Sequence, residues 1–294
     1  MKKIFYIICI AFIMMVNACE KSILDENRSV APESLFKSYI NAFVKCERLD
    51  ISYLAGIEVN AEKKDFNIAN PKWNSMWSDI VTSEIFSATD GIVVFVRGLA
   101  RDSSGYFYDV PGIGSEDFLF SNGHSPNEPF YLQRKAGYDK YINMVGDTAF
   151  NKKAAGTIAV AILDTLNSII ITANKDFDVN HLVGSNLSSL FSVYFYDPYA
   201  FIKNGYQPPE GTYNISDEHF IVPPDERIHT PFFKAKLSEI NLAERPFIGN
   251  EWYCHLEVAP EKTGEYIFNV QVTLVDGTVL ESQSPPINIK GAND

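Results

Sequence analysis

Long hydrophobic runs are scarce in this chain. The longest, Ile4 to Val16, covers thirteen residues, whereas a helix crossing a hydrocarbon core needs roughly 20. Dense basic clusters are missing as well. Lys and Arg number 25 against 37 Asp and Glu, giving a formal charge of −12, which suits neither phosphate backbones nor nucleic-acid grooves. The five histidines (His124, His181, His219, His229 and His255) form no HExxH and no i,i+4 pair, so a zinc site has no local signature. The sequence also lacks a GxSxG elbow, a phosphate-binding glycine loop and a dinucleotide fingerprint. There is no heptad run, no regular βαβ alternation and no internal repeat. No cofactor and no metal is therefore expected.

What the chain does contain begins at its first residues. Lys2 and Lys3 precede the apolar block, and Asn17 and Ala18 lead from it into Cys19. This is the layout of a secretory signal. Val16-Asn17-Ala18-Cys19 resembles the lipobox of bacterial lipoproteins, with an aliphatic residue at −3 and a small one at −1. The resemblance implies that residues 1–18 are removed and that Cys19 carries diacylglycerol, with its new amino terminus acylated by a palmitate-type chain. Two or more chains give stable membrane attachment, whereas one gives only marginal binding. Glu20, in place of the Asp linked to inner-membrane retention, implies the outer membrane by the same analogy. Glu20, Asp25 and Glu26 form a diluted version of the acidic cluster found on surface-exported lipoproteins. Both a periplasmic and a cell-surface orientation stay open. Processing removes two lysines and no acid, taking the formal charge from −12 to −14.

Residues 19–33 are polar, contain Pro32 and show no period, and read as a tether. Residues 34–294 then form the folded part. Hydrophobic residues at 46% and aromatics at 13% suffice for a large core. "SYINAFVKC", "GIVVFVRGL" and "LFSVYFYD" read as strands, as does Ser168–Ala173, while the stretch before Ser168 is compatible with a helix. Residues 101–130 and 205–228 read as long loops rich in turn-forming residues. The clearest signal spans Trp252 to Ile289. It alternates from Trp252 to Val258, turns at Pro260–Gly264, alternates through Leu274 and turns at Asp276-Gly277, the preferred two-residue hairpin pair. The fold expected is mainly β, an elaborated immunoglobulin or fibronectin-like sandwich with long loops and little helix. Of the four cysteines, Cys46 and Cys254 survive processing and lipidation. In an oxidising compartment they are expected to pair, closing a loop of 208 residues between them; two separate buried thiols are the alternative.

The lipobox, "SIIITANKDFDVNHLVGSNLSSLF" and the closing "FNVQVTLVDGTVLESQSPPINI" together resemble uncharacterised outer-membrane lipoprotein families of gut Bacteroidetes. Residues 168–191 are the more specific part of that likeness. The resemblance implies a location and a β-rich fold, and carries no functional residue with it.

Four constellations bear on chemistry. Ser34-Leu35-Phe36-Lys37, Tyr141-Ile142-Asn143 and Lys262-Thr263-Gly264 match, in order, the SxxK, YxN and KTG motifs of serine penicillin-binding proteins. That fold needs structure before its nucleophile and a core strand at its KTG, whereas here only the tether precedes Ser34 and Lys262–Gly264 fall in a predicted turn. Asp176, Asp178 and Asn180 imitate the start of a calcium loop, but the glycine position holds His181 and the bidentate position Leu187. Acidic neighbours such as Glu116-Asp117 and Asp225-Glu226 are expected from composition alone. Aromatics offer a last candidate. Trp73 and Trp77 lie four apart, and Tyr194, Tyr196, Tyr199, Tyr206 and Tyr213 crowd one region. Such residues can form a sugar-stacking platform, and more often they fill a core.

The sequence thus predicts a non-catalytic acylated envelope lipoprotein with a structural or binding role. Its partners are the membrane, through the N-terminal lipid, and a glycan or another envelope protein. Glycan capture within a polysaccharide uptake system is the first alternative, and a fimbrial or adhesin subunit the next. Substituting Cys19→Ser is expected to abolish incorporation of a clickable fatty acid and release the protein from membranes. Labelling of the variant at the wild-type level would refute the anchor.

Overall fold

The computed structural model describes residues 38–55, 58–67, 72–74, 85–88, 91–99, 118–120, 131–150, 159–216 and 231–294. Strands are numbered in chain order. A nine-stranded sheet runs β3 (Glu58–Asn60), β4 (Asp65–Asn67), β12 (Tyr213–Ser216), β13 (Pro231–Lys236), β11 (Phe191–Tyr196), β14 (Glu251–Leu256), β7 (Val93–Leu99), β2 (Arg48–Ala55), β5 (Lys72–Asn74). Only its β12–β4 pairing is parallel. A second sheet orders β10 (Leu166–Ala173), β16 (Phe268–Leu274) and β17 (Val279–Gln283). A third orders β8 (Phe118–Phe120), β1 (Ile40–Val44) and β9 (Ala159–Ile162). A fourth orders β15 (Gly264–Tyr266), β18 (Ile287–Ile289) and β6 (Ile85–Phe86). Two helices, α1 (Tyr131–Val145) and α2 (Pro198–Lys203), complete the described α-helical structure. The chain is mainly β, as its patterning predicts.

The middle of the large sheet is covered on both faces. One face presents Ile51, Tyr53, Val94, Val96, Val193, Phe195, Trp252 and Cys254 to Ile169, Ile171, Val270 and Val272 of the second sheet. This is the sandwich core. Phe191 and Phe268 meet across it perpendicular, with ring centroids 5.7 Å apart, an arrangement worth about 0.5–1.5 kcal/mol beyond area burial. On the opposite face, Phe95, Tyr194, Tyr196 and Tyr253 pack beneath Phe43 of β1, Tyr138 and Ile142 of α1, and Phe201 of α2. An immunoglobulin sandwich typically leaves that outer face polar and wet. Here every residue of β7 and β11 is buried, which is why both strands read as continuous apolar runs rather than alternating ones.

Three local expectations change. Residues 159–162 are a strand rather than the end of a helix. β9 pairs parallel with β1, and Ala161 and Ile162 are wholly buried; tertiary pairing outweighs the helix compatibility of an alanine-rich stretch. Helix α1 was not anticipated, though its buried residues Tyr138, Ile142 and Val145 follow the i, i+4, i+7 spacing of an amphipathic stripe. It stops at Gly146, whose φ of +77° lets the amide bond back to Ile142 O at 3.0 Å in the left-handed cap glycine favours. The Asp276-Gly277 hairpin is one residue longer than predicted. Leu274 N bonds Thr278 O at 2.8 Å, leaving a three-residue loop in which Gly277 takes φ +89°. Of the two predicted long loops, 118–120 and 213–216 are strands, and residues 101–117, 121–130 and 217–228 lie outside the described residues.

The Cys46–Cys254 disulfide is not formed: both cysteines are buried free thiols. The geometry of β7 separates them. Cys46 Sγ stands 2.7 Å from where a Cβ on Gly98 would be, whereas Cys254 pairs in register with Val94. Four strand residues span about 13 Å, well past the roughly 7 Å between Cα atoms that a disulfide tolerates. Burial pushes both thiols up to about 12, so neither is a ready nucleophile.

Glycine at 98 is required by space. A Cβ there would meet Cys46 Sγ at 2.7 Å and Trp252 Cη2 at 3.1 Å. Gly98→Ala should destabilise the fold by about 1–3 kcal/mol in urea unfolding. Adding Cys46→Ala, which removes the closer atom, should recover part of that loss. An alanine variant as stable as wild type would refute this packing.

Candidate functional site

A concavity among the described residues lies where β11 hands over to α2. It is an open cleft of about 640 Å³. Its sequence logic starts at "YDPYAFIK". Asp197 ends the strand and caps the helix, accepting Ala200 N–H at 2.8 Å through Oδ1, and Pro198 follows at the first helical position. Aspartate as cap with proline next is a strong helix start. Asp197 is 3% exposed. Burial raises its pKa, and the Ala200 amide and Arg245 pull against that shift.

Arg245 supplies the second carboxylate contact, donating from Nη1 to Asp197 Oδ2 at 3.0 Å. It arrives from the short 3-10 turn Leu242–Glu244, and its guanidinium carbon lies 5.4 Å from the Phe195 ring centroid and 5.0 Å from that of Phe233. These rings are near-parallel neighbours on adjacent strands, so they form a flat platform for a planar cation. Tyr199 and Lys203 of α2 line the opposite wall, with Lys203 Nζ 5.0 Å from the Tyr199 ring centroid. Glu239 and Glu244 also line the cleft and form no ion pair among the described residues. Lys236, at the far end, is engaged with Glu257.

A second polar cluster sits at one end of the face beneath α1. Glu257 accepts from Ser192 Oγ and from Lys236 Nζ, with Lys234 Nζ at 3.8 Å. His255 is the ladder partner of Ser192, and its buried Nδ1 has no hydrogen-bond partner among the described residues. Serine, histidine and glutamate thus meet, but the serine donates straight to the glutamate and its oxygen is buried. The relay of nucleophile, base and orienter is not wired here.

Tyr194 and Tyr196 are core residues, 0% and 6% exposed, and Tyr213 packs edge-on against Tyr194. Tyr206 donates to Asp147 at 3.0 Å. Only Tyr199 of this group lines the cleft. Trp73 lies on β5, opposite Leu54 in register; Trp77 lies outside the described residues, as do Cys19, Ser34 and Lys37. Tyr141–Asn143 belong to α1. Thr263 spends its amide on Asp294 at 2.7 Å and its hydroxyl on Gly291 N–H at 2.8 Å. The calcium-like loop is tied to backbone instead. Asp176 Oδ1 accepts Val183 N–H at 2.7 Å, and Asp178 Oδ1 accepts the amides of Asn180 and His181. Asp197 and Arg245 were missed. The Asp-Pro helix start was legible, but the partner 48 residues away was not. Comparison with protein-family models, with characterised proteins and with solved structures finds no match for this chain.

The second cluster sets a pH response. Burial, with Lys234 and Lys236 adding to it, lowers the His255 pKa from its ordinary 6.5 against the pull of Glu257. The folded chain therefore binds fewer protons than the unfolded chain just below that value. The associated stability is present above pH 6.5 and is lost as pH falls. Urea midpoints measured from pH 7 down to 5 should fall less steeply for His255→Gln than for wild type. Identical slopes would show that the histidine is protonated without cost.

Proposed function

We propose that this protein is a non-catalytic, acylated lipoprotein of the cell envelope that holds a ligand in the cleft between α2 and residues 239–246. The lipobox at Cys19 supports the anchor, and by analogy Glu20 supports the outer membrane. The observation that carries the binding role is the fixed guanidinium of Arg245. It is gripped by Asp197 at 3.0 Å and laid on two rings, yet a third of its side chain stays open to the cleft. A surface arginine recruited only for stability has no need of a concavity around it. Ligand sites are concave, with a few polar groups set in advance, and this cleft has that form.

Glycan capture is the second reading, and the composition of the cleft favours it over a fimbrial role. Its walls carry one tyrosine ring, two lysines and two glutamates that form no ion pair among the described residues, set among Ala200, Ala235, Ile240 and Pro246. Polar groups beside an aromatic ring suit hydroxyl-rich ligands. The test is a glycan array run beside chromogenic glycosides and nitrocefin, using the acylated protein in detergent. Array binding weakened by Tyr199→Ala or Lys203→Ala, with no turnover, is the expected result. Turnover abolished by Ser192→Ala or Ser34→Ala would overturn it.

A further inference from the structure

We propose that the cleft recognises a carboxylate-bearing sugar, with Arg245 as the anchor for the carboxylate. This rests on the cleft being the ligand site and adds the chemical class of what it takes. A guanidinium has five donors in a rigid fork. In Arg245, one Nη1 hydrogen bond goes to Asp197 Oδ2, and one face covers Phe195 and Phe233. Those contacts fix the plane of the group. The remaining donors have no hydrogen-bond partner among the described residues, and 34% of the side chain is exposed along the cleft wall. A planar fork held in one orientation with donors unspent matches a carboxylate in geometry and charge. Because the orientation is set before a ligand arrives, little conformational freedom is left to lose on binding.

Charge narrows the class. Asp197 offsets Arg245, and Glu257 offsets Lys236, so Lys203 is the cation on the cleft walls that has no acid partner among the described residues. Glu239 and Glu244 line the same cleft as carboxylates with no ion pair among the described residues. A doubly charged phosphate would meet two repulsive acids. A ligand bearing one negative charge meets the cations Arg245 and Lys203 and brings hydroxyl donors for the two glutamates. Carboxylates accept hydrogen bonds and give none when ionised, so the ligand must bring donors as well as its acid. A uronic acid carries both on one ring, and the Tyr199 ring supplies a face to stack against. A peptide carboxy terminus also brings an acid and an amide, but its side chains need apolar contact that these walls offer, besides Tyr199, only at Ala200, Ala235, Ile240 and Pro246.

The experiment is calorimetric titration of the full acylated protein in detergent with three probes: a galactose trimer ending in a single galacturonate, the neutral galactose trimer, and a pentapeptide with a free carboxy terminus. Wild type should bind the singly acidic trimer about tenfold or more tighter than the neutral trimer, the scale of one charge-assisted hydrogen bond. Arg245→Lys keeps the charge and removes the fork, and should erase that preference. Glu239→Gln with Glu244→Gln should spare the preference for the acid and weaken both sugars. A thermal melt of each variant confirms that it is folded. Equal affinity for both trimers, or full acid preference in Arg245→Lys, would overturn the carboxylate assignment. If binding to both is also weakened by Tyr199→Ala, the cleft reading survives. Tighter binding of the pentapeptide would overturn the sugar assignment. No binding of any probe would overturn both.

Discussion

The structure turns on the double burial of its central strands. Val93–Leu99 and Phe191–Tyr196 have no residue on a wet face, so the large sheet cannot be stable as one layer of a two-layer sandwich. The second sheet covers one side with Ile169, Ile171, Val270 and Val272. On the other side, β1, α1 and α2 are held in place by Tyr39, Phe43, Tyr138 and Phe201. Removing a buried aromatic from such a core costs about 3–5 kcal/mol, a large part of any domain's net stability.

Covering both faces forces polar groups into places where they must be matched. Arg97 lies on β7 at 8% exposure and donates to Asp50 at 2.7 Å, while burial raises the pKa of Glu251 against the pull of Arg97. Asp147 is wholly buried. It accepts the amides of Tyr39 and Ile40 at 2.7–2.9 Å, together with the Tyr206 hydroxyl. That carboxylate fastens the first described strand to the end of α1. Breaking any one of these matches leaves a buried group unpaired, which costs more than the contact itself contributes.

The cleft follows from the same constraint. α2 must turn back to bury Phe201 and Ile202, so β11 ends in a capped helix start, and Asp197 is buried as the cap. A buried carboxylate needs a cation, and Arg245 meets that need from the neighbouring loop. Once fixed, it leaves part of its guanidinium exposed along the cleft wall. A stability requirement and the proposed binding surface thus share one residue pair.

The parts that were legible in the sequence are those governed by local chemistry. The strands "GIVVFVRGL" and "LFSVYFYD" follow from continuous runs of β-branched and aromatic residues, and the hairpin around Gly277 from alternation and turn residues, all displayed directly by the sequence. Even the Asp197-Pro198 helix start was written there. The structure alone decided what depends on register between distant strands. It placed Cys46 at the level of Gly98 and Cys254 at that of Val94, so that two cysteines suited to pairing remain thiols. It made a strand of Ala159–Ile162 because β1 lay beside it, and it brought Arg245 onto Asp197 across 48 residues. Local propensity is a property of neighbours along the chain, whereas pairing and proximity are set only when the two faces of the central sheet are closed.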